Sequence, residues 1–218
     1  MIQVADGAGS LNSAIILNDP FSFGNTGLTN QTATNGGANT SFLYQGSDFA
    51  TSDASITQTA DGAGSANSAT HYQNDLTFGG GHLTTVVQDA QTAGTNQAYT
   101  DQQGAFGVAN ITQTATNEGS NLAEVFQFNQ YTGNTVEATI TQTADGAGGG
   151  NDASVTQGDL YGGGNGATFA LATITQTSTN SGVNQATTYQ EGDLLGVNEI
   201  LVEQTADNYD AFNDMYIV

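Results

Sequence analysis

Gln58-Thr59-Ala60-Asp61-Gly62-Ala63-Gly64-Ser65-Ala66-Asn67-Ser68-Ala69-Thr70-His71-Tyr72-Gln73 reads as the end of one strand, a turn and a second strand. The same frame returns at Gln31/Asn39/Gln45, Gln88/Asn96/Gln102, Gln113/Asn121/Gln127, Gln142/Asn151/Gln157 and Gln176/Asn184/Gln190. Degenerate copies stand at Gln3/Asn12/Asn18 and Gln204/Asn213. A period of this size, sustained throughout, marks a stacked array rather than an ordinary globular domain. We therefore read residues 1–218 as one array.

Counting back from each Gln by twos finds small or apolar residues, the mark of a strand with one buried face. First arms read Ser52 to Gln58, Gly107 to Gln113, Val136 to Gln142, Ala170 to Gln176 and Asn198 to Gln204, with weaker members at Asn25 to Gln31 and His82 to Gln88. Second arms run from each Asn to the following Gln, closing with the partial copy Asn213 to Val218. The expected fold is all-β, a β-solenoid of about eight two-strand rungs starting near residues 1, 25, 52, 82, 107, 136, 170 and 198.

Stacking in register places Asn12, Asn39, Asn67, Asn96, Asn121, Asn151 and Asn184 in one inward column. The glutamines Gln31, Gln58, Gln88, Gln113, Gln142, Gln176 and Gln204 fall in another. Rungs lie about 4.8 Å apart, so each amide reaches its copy above and below and is buried with its hydrogen bonds made. Ile56, Ile111, Ile140 and Ile174 form the apolar stack between them. The connection from first arm to second is regular in length and the return connection varies widely, so insertions are expected on that edge.

Composition removes several function classes. With 21 acidic residues and no Lys or Arg the net charge is −21, which excludes nucleic acid and anionic lipid as partners. There is no Cys, and no apolar stretch is long enough to span a membrane as a helix. His71 and His82 fall at inward ladder positions and the acids are scattered over turns and outer faces, so no enzyme is expected. Met1-Ile2-Gln3 already lies in the repeat frame, so a secretory signal is expected to be absent from this chain.

The frame Gln, Asn-x-Ala, Gln, with glycines in its turns, resembles the curlin repeats of secreted bacterial curli subunits. Asn67-Ser68-Ala69 to Gln73 carries the likeness, as does Gly162-Gly163-Gly164-Asn165-Gly166-Ala167, although the turn between Gln and Asn is longer here. The resemblance implies an extracellular, cell-surface amyloid-like fibre subunit in a biofilm matrix or surface coat. Its partners would be further copies of itself and a secretion or nucleation protein. The alternative is a monomeric secreted solenoid that binds ice, carbohydrate or calcium.

Three sets of residues are the candidate sites. Met1, Ile2 and Gln3 at one end, and Asn213, Met215 and Ile217 at the other, belong to truncated rungs with open strand edges and are the expected polymerisation ends. Phe42, Tyr44, Tyr72, Tyr99, Phe126, Tyr189 and Tyr216 line the outward face of the second arms as an expected lateral surface for bundling or adhesion. The turn column is read as Asp6, Asn35, Asp61, Thr92, Asn117, Asp145, Asn180 and Asp207. No calcium nonapeptide is matched there, so no cofactor or resident metal is expected, with Ca²⁺ the minor option and cation screening of the net charge the major one. Outward Thr pairs such as Thr141/Thr143 form an array that Val87 and Asp89 interrupt, which argues against an ice-binding face.

Overall fold

A computed structural model describes the chain except residues 19–23, 48–50, 63, 76–80, 105, 130–134, 160–168, 181, 191–196, 208–211 and 218. The copy Gly162 to Ala167 and the closing Val218 lie outside the described residues. Sixteen strands and no helix make up the described structure. First arms are β1 (Ile2–Ala5), β3 (Asn25–Ala33), β5 (Ser52–Ala60), β7 (Gly81–Ala90), β9 (Phe106–Ala115), β11 (Thr135–Asp145), β13 (Phe169–Thr179) and β15 (Val197–Ala206). Second arms are β2 (Asn12–Asn18), β4 (Asn39–Ser47), β6 (Ala66–Asp75), β8 (Thr95–Gly104), β10 (Ser120–Asn129), β12 (Gly150–Asp159), β14 (Val183–Gln190) and β16 (Phe212–Ile217).

Odd strands form one eight-stranded sheet and even strands a second, each in strict order. Every pairing is parallel, because a chain that returns to the same side after each rung can only stack its copies head over head. The result is a β-solenoid. The rung count differs slightly from the expected eight: each sheet has eight strands, but only the six rungs β3–β4 through β13–β14 are complete, since β1 keeps four residues and β16 six.

The register joins like to like. Gln58 pairs with Gln31 and Gln88, Ile140 with Ile111 and Ile174, and Asn121 with Asn96 and Asn151. A slip by one residue would turn every Gln and Ile to solvent, so burial itself fixes the register. The core between the sheets holds Ile56, Ile111, Ile140 and Ile174 from the odd strands against Leu43, Val125 and Val155 from the even ones. Alanines separate the large side chains at Ala54, Ala109, Ala138 and Ala172 and at Ala69, Ala98, Ala123 and Ala153.

Two details differ from the sequence reading. First arms do not stop at Gln; they continue two residues to a second buried alanine, Ala33, Ala60, Ala90, Ala115 or Ala144. The turn column is also shifted by one in half of its copies. The register extends Ala60↔Ala33 and Ala144↔Ala115, and hydrogen bonds at Asp61 N to Ala33 O and Thr116 N to Ala90 O continue it. The true column is therefore Asp6, Thr34, Asp61, Gln91, Thr116, Asp145, Thr179 and Asp207, and Asn35, Asn117 and Asn180 fall one place later.

Backbone conformation explains the shift. The place after the column is left-handed in most turns, and Asn35 (φ 38), Asn117 (φ 55) and Asn180 (φ 59) occupy it in some while Gly62 (φ 105) and Gly146 (φ 116) do so in others; after Gln91 the left-handed residue is Ala93 (φ 46), one place later. Asn and Gly are the residues that tolerate this region. Gly62 is constrained twice, since a Cβ there would lie 2.5 Å from the Asn35 backbone of the rung below, whereas Gly64 (φ +78) has open space around it. Gly64→Ala is expected to cost about 1 to 2 kcal/mol from left-handed strain alone. Gly62→Ala is expected to cost about 2 to 4 kcal/mol because overpacking adds to the strain. Urea unfolding of the two variants, followed by circular dichroism, checks the order.

Candidate functional site

The buried amides form three ladders rather than two columns. Asparagines make one, and glutamines split into a first-arm set and a second-arm set, Gln45, Gln73, Gln102, Gln127, Gln157 and Gln190, on the facing sheet. Gln113 Nε2 donates to Gln88 Oε1 of the previous rung at 2.8 Å and to Leu122 O across the core at 2.8 Å. Gln142 and Gln176 repeat this with Gln113 and Asp152 O, and with Gln142 and Gln185 O. A backbone carbonyl only accepts, so the amide nitrogen must face it, and this sets which way the whole side chain points.

Each ladder is consequently polar along the solenoid axis, the Asn ladder from Asn39 onward: Asn12 Nδ2 bonds Gln3 O and Thr32 O instead, which leaves Asn39 Oδ1 without a partner. Both Gln ladders donate toward the N-terminal rungs, as Gln127 does to Gln102 Oε1. The Asn ladder donates the other way: Asn96 Nδ2 bonds Asn121 Oδ1, and Asn121 Nδ2 bonds Asn151 Oδ1, each at 2.8 Å. The second Asn N–H holds a carbonyl of the next first arm, such as Thr143 O for Asn121.

At the two ends this polarity leaves opposite groups open. At the N-terminal end Gln3 Nε2 bonds Ser13 O, which leaves its second N–H, and Asn12 Oδ1 is buried without a partner. At the C-terminal end Gln204 Nε2 uses both N–H groups, on Gln176 Oε1 and Asp214 O, which leaves its Oε1, while Gln190 Oε1 is buried without a partner. Asn213 Nδ2 turns back to its own rung at Gln204 O, 3.4 Å away. Apolar positions follow suit. Met215 and Ile217 have inward parity yet are 52% and 50% exposed, because no described strand lies beyond them. Met1 is likewise exposed at the other end, whereas Ile2, also expected there, pairs with Asn30 on the outward face and is exposed for that reason.

One rung departs from the pattern. His71 replaces the aliphatic residue of its column between Leu43 and Thr100 and is fully buried. Thr84 Oγ1 lies 3.0 Å from its Nδ1 and 2.9 Å from Gln73 Oε1, and accepts from Gln102 Nε2. Burial, and secondarily the nearby His82, lower the imidazole pKa to about 3. At the turn edge, hydrogen bonds from the Thr179 hydroxyl and the Asn180 amide hold Asp145 below the usual carboxylate range. Among the described residues no cluster of three or more His, Asp or Glu is placed to hold a metal ion.

The expected lateral aromatics occupy two columns, not one. Phe42, Tyr99 and Tyr216 share the first, and Tyr44, Tyr72, Phe126 and Tyr189 share the second. Rings pack diagonally between the columns: Phe42 to Tyr72 at 5.9 Å, Tyr72 to Tyr99 at 5.5 Å and Tyr99 to Phe126 at 5.4 Å between centroids. Ser154 and Thr156 interrupt both columns on β12, so Tyr189 and Tyr216 are set apart from the rest. Mutual packing leaves Phe42, Tyr72, Tyr99 and Phe126 half-buried, so part of this surface stabilises its own sheet.

The chain matches no family model, no curated protein and no solved structure. Among the described residues no helix is long and apolar enough to cross a membrane.

The ladder sets two expected outcomes. Gln113→Ala strands three buried groups, Gln88 Oε1, Leu122 O and an N–H of Gln142, and is expected to cost about 3 to 6 kcal/mol. Thr112→Ala, next to it but outward, is expected to stay within about 0.5 kcal/mol in the same denaturation assay. His71 has a folded pKa below its unfolded value, so the unfolded chain alone takes up the proton as pH falls from about 6.5 toward 3. Stability should drop by up to about 1.4 kcal/mol per pH unit in that window. His71→Leu should lose less stability over the upper part of that window, between about pH 6.5 and 5.

Proposed function

We propose that the protein is the structural subunit of a fibre, built by end-to-end stacking of solenoid rungs of successive copies. One observation carries the reading: the amide ladders run in fixed and opposite directions, so each end of the array offers what the other lacks. A second copy placed one rung beyond β15 and β16 would bring its Gln3 N–H to Gln204 Oε1 and its Asn12 Oδ1 to Asn213 Nδ2. The inward columns would continue as well. Ile217 would cover Ile16 of the next copy, and Val202 would meet its Met1, by extension of the registers that place Ile16 with Leu43 and Met1 before Ile2↔Asn30.

The energetics favour this association. Strand edges at both ends carry unpaired backbone groups that template another strand. Met215 and Ile217 are already half covered, so their full burial would add roughly 1 kcal/mol each. Opposing it is the net charge of −21 per copy, so assembly is expected to quicken with added salt. With the curlin-like spacing of Asn and Gln, the reading extends to an extracellular fibre of a biofilm matrix or cell-surface coat, without enzymatic activity.

Negative-stain electron microscopy of the purified chain over hours tests the reading, with unbranched filaments and an axial diffraction spacing of about 4.8 Å as the expected result. Monomers that stay monodisperse at every salt concentration overturn it. Ile217→Asp, which puts a charge into the junction column, should leave monomer circular dichroism unchanged and slow filament elongation by about tenfold or more.

A further inference from the structure

Tyr72, Tyr99, Asp101, Glu124 and Phe126 share the outward face of β6, β8 and β10. Tyr99 stands beside Glu124, and Asp101 beside both Tyr72 and Phe126, so two rings and two carboxylates alternate on β8 and β10 like a checkerboard. Thr70 occupies the aromatic column where Phe42 and Tyr99 flank it, and the gap it leaves opens a cleft of about 140 Å³. Ser68, Thr70, Gln97, Tyr99, Leu122 and Glu124 line that cleft.

The electrostatics of the patch are one-sided. Burial raises the Asp101 carboxyl pKa, and the carboxylate's hydrogen bond from Gln103 is long, at 3.5 Å. Burial and the neighbouring Asp101, Tyr72 and Glu124 push the Tyr99 hydroxyl up to about 12. The chain has no Lys or Arg anywhere, so no side chain of its own can neutralise these carboxylates. A cleft that sets one carboxylate, Glu124, beside one ring, Tyr99, suits a planar and weakly hydrated cation that stacks on an aromatic ring while pairing with a carboxylate.

We propose that this cleft receives the guanidinium of an arginine-rich polypeptide partner, stacked on the Tyr99 ring and paired with Glu124. Asp101 strengthens the local potential, and the polar Gln97 and Ser68 supply further acceptors for a fork of five donors. Ammonium groups fit less well, since they are compact and strongly hydrated and make no planar stack. The site lies on the side of the solenoid, away from the end rungs, and does not depend on fibre formation.

Fluorescence anisotropy of a labelled arginine-glycine peptide against the full chain, at about 0.15 M salt, tests the proposal. Glu124→Gln and Tyr99→Leu are each expected to weaken binding about five- to tenfold, whereas Tyr99→Phe, which keeps the ring, stays within about twofold. Asp89→Asn removes the same charge from the outer face of the opposite sheet and should also stay within about twofold. Replacing arginine by lysine in the peptide should weaken binding about fivefold. No saturable binding to the unaltered chain, equal loss in Glu124→Gln and Asp89→Asn, or full binding by Tyr99→Leu would each overturn the proposal.

Discussion

A buried primary amide has two donors and an acceptor that must all be satisfied, and in this molecule that requirement governs everything else. In the inner rungs one N–H of a ladder residue is taken by a backbone carbonyl across the core, and the other by the identical residue one rung away, as for Gln113 and Asn121. The cross-core bond ties the two sheets together. The axial bond demands that the next rung carry the same residue at the same height, so sequence repetition and in-register stacking are two views of one constraint. The isoleucine and alanine columns fill the space that this spacing leaves.

Much of this was legible in the spacing of Gln and Asn, because a ladder residue leaves the same letter at every rung. Fold class, strand order and the inward parity of Asn121 or Gln142 follow from counting alone. What counting missed depends on backbone angles and side-chain direction. The Asp and Asn of the turns look equivalent in the sequence, yet Asp61 precedes the left-handed position and Asn117 fills it, so they differ by one place. The second alanine column was overlooked because Ala60 follows Gln58 and Thr59 where a turn was expected. The diagonal ring contacts were hidden because Phe42 and Tyr72 lie in different columns and meet only through their side-chain directions.

His71 shows how a repeat tolerates an exception. The ring fits between Leu43 of the rung before and Thr100 of the rung after, and Thr84, Gln45 and Gln73 surround it with groups that already belong to the polar lattice. Burial then keeps it neutral far below the ordinary imidazole range. Such a residue is compatible with the stack only while it stays uncharged, which makes the third rung the acid-sensitive point of an otherwise uniform array.

The edge where the chain returns from second arm to first has a different consequence. Between β12 and β13 the connection spans residues 160–168, whereas β8 and β9 are joined through residue 105 alone, yet pairing on both sides of each remains in register. Loop length on that edge is thus uncoupled from rung geometry. An array with this property behaves as a ruler with sockets: it holds positions at fixed axial intervals and accepts extra sequence beside any of them. Peptide tags or binding loops grafted there would be displayed at spacings that are multiples of the rung height.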